Sequence, residues 1–528
     1  MMRLRIAGLF LVLPLAALGA QSNGDTLVVN FLPTELNFNP IITYTTSEAQ
    51  IYTGLYEGLV SYDPFSLDPI PAVAERWEVL DDGLRYRFYL RDDARYSNGD
   101  PVRASDFRDT WLKLLDPATD AAYASLFDAV EGAAAFRRGE ESDPNTVGIR
   151  VEGPRVLEIH LERRATHLLR ILCHHSFVVV HPDMLDGGDF SDPTQIPYNG
   201  PFVATEISET NSAGGRLVLE PNEEYWDSRR VELDAVEVQF NDDATAVTES
   251  FNAGKIHWVR GGIDFQAAAR SEELVVNPLF ATTYYQLSAH RKPFDDARVR
   301  RAFALALPWE TIRDPEVWFV PAQTLVPSLP SYPVAEGIAE RNLEQARDLL
   351  TEAGYPGGEG LPEVTITIPF EVENDVVASQ MITAWTEELG ATVIAETVPY
   401  PAYFDLIEEE QFMVSTISWI GDFADPLTFL DMWTTGSNLN NSRYTNHAYD
   451  ELIAEASGLT GDERYQMLSE AEEIILNDGV VLPVSHSPSI NLINRELIDG
   501  WYANPLDIHP LKYLQFATGG PIPYVASQ

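Results

Sequence analysis

Large apolar residues alternate with mostly charged ones through Leu84-Arg85-Tyr86-Arg87-Phe88-Tyr89-Leu90-Arg91, the two-residue period of a strand with one wet face. Turn signals bound this run, Asp82-Gly83 before it and Asn98-Gly99-Asp100-Pro101 after it. The period then changes to that of a helix at Phe107, Trp111, Leu114 and Leu115, with Ser105 or Asp106 as the expected cap and Asp116-Pro117 as the stop. Two more helices are marked in the same way. Asp295 or Asp296 caps a segment with Val299, Ala302, Phe303 and Ala306 on one face, and Asn342 caps Leu343 to Ala353, ended by Gly354. Strand-like runs occupy Val364 to Ile368 and Thr392 to Val398, so the strand–helix–strand order there predicts a crossover unit and a partly parallel sheet.

The chain has 528 residues, too many for one core, and the length predicts about three domains. Proline-rich punctuation at 193–201, 321–333 and 483–488 marks short connections between closely packed domains, with no long tether. At the N-terminus Arg3 and Arg5 precede the apolar stretch Ile6 to Leu18 and the small residues Gly19 and Ala20, the layout of an export signal (residues 1–20) cleaved near position 20. No cysteine stands at that junction, so no lipid anchor is expected, and no later apolar run is long enough to span a bilayer. Cys173 is the only cysteine, which excludes an intramolecular disulfide or a cysteine metal cluster and leaves a small buried hydrophobe. The formal charge of −46, from 35 basic and 81 acidic residues, repels phosphate backbones and excludes nucleic acid as a natural partner. Such an acidic surface suits concentrated salt, where carboxylate repulsion is screened.

The segment Ser418-Trp419-Ile420-Gly421-Asp422-Phe423-Ala424-Asp425-Pro426 carries the candidate chemistry. Phe412 to Ile420 holds no charge, and a bulky aromatic sits three residues before Asp422. A carboxylate in such surroundings is partly shielded from water and calls for a cation, because an unpaired buried charge costs several kcal/mol, roughly. With an opening in front of it, that cation can come from outside.

Several stretches resemble one family, the extracellular solute-binding proteins of peptide ABC importers. The clearest runs from Ala74-Glu75-Arg76-Trp77-Glu78 through Asp82-Gly83 and the aromatic strand to Asn98-Gly99-Asp100-Pro101 and Asp106-Phe107. Tyr56-Glu57-Gly58-Leu59, Asn199-Gly200-Pro201-Phe202, Pro221-Asn222 with Tyr225-Trp226-Asp227, Pro293-Phe294-Asp295-Asp296, and Asn440-Asn441 with Tyr444 and Tyr449-Asp450 follow in the order that family shows. Each match alone is weak, whereas the ordered set is specific and covers most of the chain. The resemblance implies an α/β, two-lobed periplasmic-binding fold (class II, large peptide-binding type) with an extra domain and a hinge, closing on a peptide. It implies one domain from about 21–58, 182–278 and 490–528, a second from 59–181 and a third from 279–489. It further implies a monomeric, cofactor-free periplasmic receptor that is not an enzyme and delivers peptides to membrane permeases served by cytoplasmic ATPases.

Carried over by position, the resemblance makes Asp422 the partner of a peptide α-ammonium. The rival acid Asp425, followed by Pro426, reads as a turn residue. The backbone around Trp419, at Ser418 and Ile420, corresponds to a segment pairing with the ligand as an added strand. Tyr44, Thr45 and Thr46 correspond to a second such segment, and Tyr123 to an aromatic near the ligand. One departure stands out: Val414-Ser415-Thr416-Ile417 lacks the basic residue with which length-selective relatives hold the far carboxylate, and Arg443 and His447 read as residues of a solvated loop.

Relatives that take nickel chelates, haem or sugars are the alternative within the family, and a secreted hydrolase is the alternative outside it. Asp186, Asp189 and Asp192 lack the acid alternation of a calcium hand, and His167, His174, His175 and His181 fit no helix-face metal pair, so no metal is expected. Glu408, Glu409 and Glu410 read as a solvated helix face. No nucleophile elbow, phosphate loop or dinucleotide fingerprint occurs.

Overall fold

A computed structural model describes residues 25–43, 45–185, 187–314, 319–329, 331–370 and 375–517. The expected export signal lies outside these residues, as do Tyr44 and Asp186. Among the described residues the largest sheet has eleven strands. In spatial order, ten of them are Val393–Thr397, Val364–Ile368, Val414–Ile420, Leu274–Leu287, Val481–Ile493, Trp258–Arg260, Thr26–Phe31, Ala235–Phe240, Gly215–Pro221 and Phe202–Ile207; the two-residue strand Val320–Pro321 pairs beside His486.

The expected crossover is present. Val364–Ile368 and Val393–Thr397 pair in parallel, and the helix Val376–Leu389 between them buries Ala378, Met381, Trp385 and Leu389. Asp375 caps that helix by accepting from the Ala378 N–H at 2.8 Å. Asp296 and Asn342 cap the helices Ala297–Leu305 and Leu343–Glu352, as their positions before apolar-periodic runs predict. The helix Ala104–Leu115 corrects one expectation. Neither Ser105 nor Asp106 is its cap, because Arg103 takes that place and Asp106, in the first turn, accepts from the Arg103 N–H at 2.9 Å. A carboxylate three residues inside a helix reaches back to the cap as well as a cap side chain reaches forward, and the sequence pattern does not separate the two.

The alternating segment forms Arg85–Leu90, in a separate four-stranded antiparallel sheet with Ala74–Leu80, Val156–His160 and Ile149–Gly153. Tyr86, Phe88 and Leu90 face its core. Two long strands, Leu274–Leu287 and Val481–Ile493, run through the middle of the large sheet. Their antiparallel register breaks where Pro278 faces Pro488 and resumes at Thr282 opposite His486. Proline has no N–H for the ladder, so this is a natural place for the two strands to bend.

Three of the short sequence matches converge on one buried junction. Asn199 accepts from the Glu57 N–H at 3.0 Å and donates to its carbonyl at 2.8 Å, and Asn222 donates to the Gly200 carbonyl at 2.9 Å. The Glu57 carboxylate accepts from Trp226 Nε1 at 2.6 Å and from the Tyr225 hydroxyl, with Lys512 Nζ 3.4 Å away. Burial works to lower the Lys512 pKa, and Glu57, Tyr513 and Asp227 together more than offset it, so the net shift is upward and the lysine stays charged.

Candidate functional site

The strand Val414–Ile420 positions the site. Along one edge it pairs antiparallel with Leu274–Leu287 over its full length, from Val414 opposite Leu287 to Ile420 opposite Ala281. Its other edge pairs in parallel with Val364–Ile368 only at Val414 and Ser415. The Thr416 N–H donates to the Tyr403 hydroxyl at 3.0 Å, and that hydroxyl donates to the Thr416 carbonyl at 2.7 Å. By the two-residue alternation of a strand, the main-chain groups of Ser418 and Ile420 face the same side as those of Thr416, where no described strand covers them. Trp419 lies between them, buried, its indole N–H donating to the Thr428 carbonyl at 3.1 Å.

Asp422 stands at the end of this open edge. Its side chain is 9 % exposed. Tyr123 donates to Oδ1 at 2.9 Å and Thr428 Oγ1 to Oδ2 at 3.0 Å, while the Asp422 N–H donates back to Thr428 Oγ1 at 2.7 Å. The Tyr62 hydroxyl donates to the Asp422 carbonyl at 3.0 Å. These partners are neutral. His174 Nε2 lies 3.7 Å from Oδ1, but burial beside His175 drives its pKa well down and leaves the imidazole uncharged. Burial raises the Asp422 pKa to about 7 against the opposing pull of its Tyr123, Thr428 and main-chain hydrogen bonds.

Asp425, three residues on, is the opposite case. It is 3 % exposed, accepts from Arg464 Nη2 at 2.6 Å and lies 3.6 Å from Arg170 Nη1. It also accepts from the Leu427 N–H at 3.0 Å, the turn role expected of it. Its charge is compensated from within the protein.

Of the sequence-predicted residues, the structure brings together Asp422, Trp419, Ser418, Ile420 and Tyr123. Thr45 has an extended backbone and Thr46 is the first residue of a helix. Thr45 caps the helix Thr46–Leu55, its hydroxyl accepting from the Glu48 N–H and donating to Glu48 Oε2, and its carbonyl accepts from the Ala49 N–H. Their carbonyls are committed to the helix, because a Thr followed three residues later by Glu is also a capping box. Arg443 pairs with Glu410, and His447 opens the helix His447–Ala456 instead of sitting in a loop. The structure adds Thr428 and Tyr62, which no motif marked, although a threonine six residues after the acid is a local signal in hindsight. Among the described residues no group of three or more His, Cys, Asp or Glu side chains is arranged to hold a metal ion.

The family model of the bacterial extracellular solute-binding proteins, family 5, matches residues 68–441. The chain belongs to this family. It is 27 % identical over 514 residues to the dipeptide-binding protein DppE of Bacillus subtilis, covering 94 % of this chain and 92 % of that one. It is 29 % identical over 463 residues to the probable deoxycholate-binding periplasmic protein YgiS of Escherichia coli, covering 84 % and 85 %. The fold matches the murein tripeptide binding protein MppA of Escherichia coli with a TM-score of 0.83 at 24 % identity, over 94 % of this chain and 99 % of that one. Against the unliganded open form of MppA the TM-score is 0.65. The family is one of solute-binding proteins, and the two-lobed α/β architecture with an extra domain is that of its members.

Proposed function

We propose that this family 5 protein is the extracellular peptide receptor of an ABC importer, exported to the periplasm, where it encloses a peptide between its lobes and hands it to membrane permeases driven by cytoplasmic ATPases. The observation that carries the proposal is a shielded acid, held only by neutral donors among the described residues, at the end of an open strand edge. Main-chain groups of Ser418 and Ile420 pair with any peptide backbone whatever its side chains, which gives affinity without sequence selectivity. Asp422 receives the α-ammonium and fixes the register, with Tyr123 orienting the carboxylate and Trp419 walling the strand. Tyr44, Thr45 and Thr46 are the second backbone-pairing segment in this proposal. Closure excludes water and strengthens the Asp422–ammonium attraction. In this proposal the domains are 21–58 with 182–278 and 490–528, 59–181, and 279–489, and the hinge is the register break at Pro278 and Pro488.

Titration calorimetry with a mixed tri- to pentapeptide pool tests this. N-acetylation of the peptides, or Asp422→Asn, is expected to weaken binding by 30-fold or more, on the order of 2–5 kcal/mol for a desolvated charge pair. Unchanged affinity in both cases would remove Asp422 from the site. The relative described as probably deoxycholate-binding favours a second reading, a steroid acid as solute. Such a ligand brings a carboxylate and no ammonium, so its binding would improve in Asp422→Asn, the opposite sign.

A further inference from the structure

The loop that follows the open strand is held at Asp422, Phe423 and Asp425 by side chains from a distant part of the chain. Tyr123 reaches Asp422, His167 stacks on Phe423 with ring centroids 6.1 Å apart, and Arg170 reaches Asp425. Beside them the Thr166 N–H donates to the Ser457 carbonyl at 3.2 Å, and its hydroxyl to the Leu459 carbonyl at 3.1 Å. All the gripping residues come from the segment that carries the four-stranded sheet, and all the gripped ones lie beyond the proline break in the two long strands. Asp425 is held from its own side by Arg464, so its position is set whether or not Arg170 approaches. Arg170, 37 % exposed and also 3.8 Å from Asp68, is the more exposed half of the pair.

We infer that Arg170 is a positioning residue for closure: its contact with the pre-set Asp425–Arg464 pair, together with Thr166 on the Ser457–Leu459 turn, latches the 59–181 unit onto the 279–489 unit beside the ligand's amino end. The inference rests on the proposed two-unit closure but not on the identity of the ligand. A latch made of protein groups alone stabilises the closed form equally for every ligand, so it sets residence time without choosing the solute. Asp422, by contrast, discriminates between ligands with and without a free ammonium.

The test is Arg170→Met, with Thr166→Val as a second variant on the same seam and Arg170→Lys as the conservative control. With the tri- to pentapeptide pool, Arg170→Met is expected to bind about 3- to 10-fold more weakly through faster dissociation, on the scale of a half-exposed charged contact. The ratio of affinities for free and N-acetylated peptides should stay as in wild type, and Arg170→Lys should recover part of the loss. Unchanged dissociation, or a loss confined to peptides with a free amine, overturns the latch. Absence of any peptide binding by wild type sinks the proposed function instead, and the latch is then read by small-angle scattering of ligand-free protein: Arg170→Met should have the larger radius of gyration, and identical curves would overturn it.

Discussion

Two regions of this protein bury an acid in contact with tyrosine hydroxyls and resolve the charge in opposite ways. At the junction of the N-terminal segment and the C-terminal tail, Glu57 meets Lys512, Tyr225 and Trp226, and the charge is balanced by a residue of the same chain. At the end of the open strand, Asp422 meets Tyr123, Thr428 and an uncharged His174, and no cation of the described residues pairs with it. The first arrangement serves the fold. The second costs the fold stability, because burial holds the carboxyl near pKa 7, and it leaves the balancing charge to be supplied by a ligand. Glu472 is likewise buried among neutral donors and raised to about 7, so what marks Asp422 as a candidate binding group is its place at the end of an open strand edge.

The comparison breaks most directly at Lys512. Lys512→Met leaves Glu57 buried with hydroxyl and indole donors but no cation, and is expected to cost about 3–5 kcal/mol, read as a lower thermal midpoint. Asp422→Asn should do the reverse in the ligand-free protein. A carboxyl raised to about 7 in the folded state holds its proton where the unfolded chain has lost it, so its contribution to stability is full below about pH 4 and falls away as pH rises to about 7. Above pH 7 the asparagine variant should therefore be the more stable protein, by up to about 4 kcal/mol, and the two should converge near pH 4. A variant no more stable than wild type at pH 8 would mean that Asp422 is compensated after all.

Peptide affinity sharpens the same contrast. Asp422 must lose its proton to pair with an ammonium, and an α-ammonium loses its own near roughly pH 7.7–8.0, so affinity should peak between these limits and decline on both sides. N-acetylated peptides should lack the alkaline limb. The smallest effect is expected from Thr428→Val, which removes one donor to the carboxylate and the acceptor for the Asp422 N–H. A loss of about 1–2 kcal/mol in peptide affinity, with little change in the four-stranded sheet or the Glu57 junction, is the expected outcome of calorimetry.

Much of the fold was legible from local pattern. The strand at Arg85–Leu90, the capped helices at Asp296 and Asn342 and the parallel crossover around Val376–Leu389 follow from periodicity and caps that act within a few residues. The Arg103 cap was misread, since a carboxylate in the first turn and a cap side chain present the same residue types. Asp422 was legible as a shielded acid because the charge-poor strand before it is contiguous in sequence. The contrast with Asp425 was not, although both acids stand in one loop.

By itself the sequence determined the strands, helices and turns, the family, and a carboxylate placed after a stretch without charge, because each depends on neighbours within about one turn or one hairpin. Only the tertiary structure decided which acid keeps an internal partner. Arg464 and Arg170 reach Asp425 from 39 residues after it and 255 before it, Lys512 reaches Glu57 across 455 residues, and among the described residues nothing positively charged pairs with Asp422. Charge compensation acts through space, so it is settled by which surfaces meet and not by which residues follow one another.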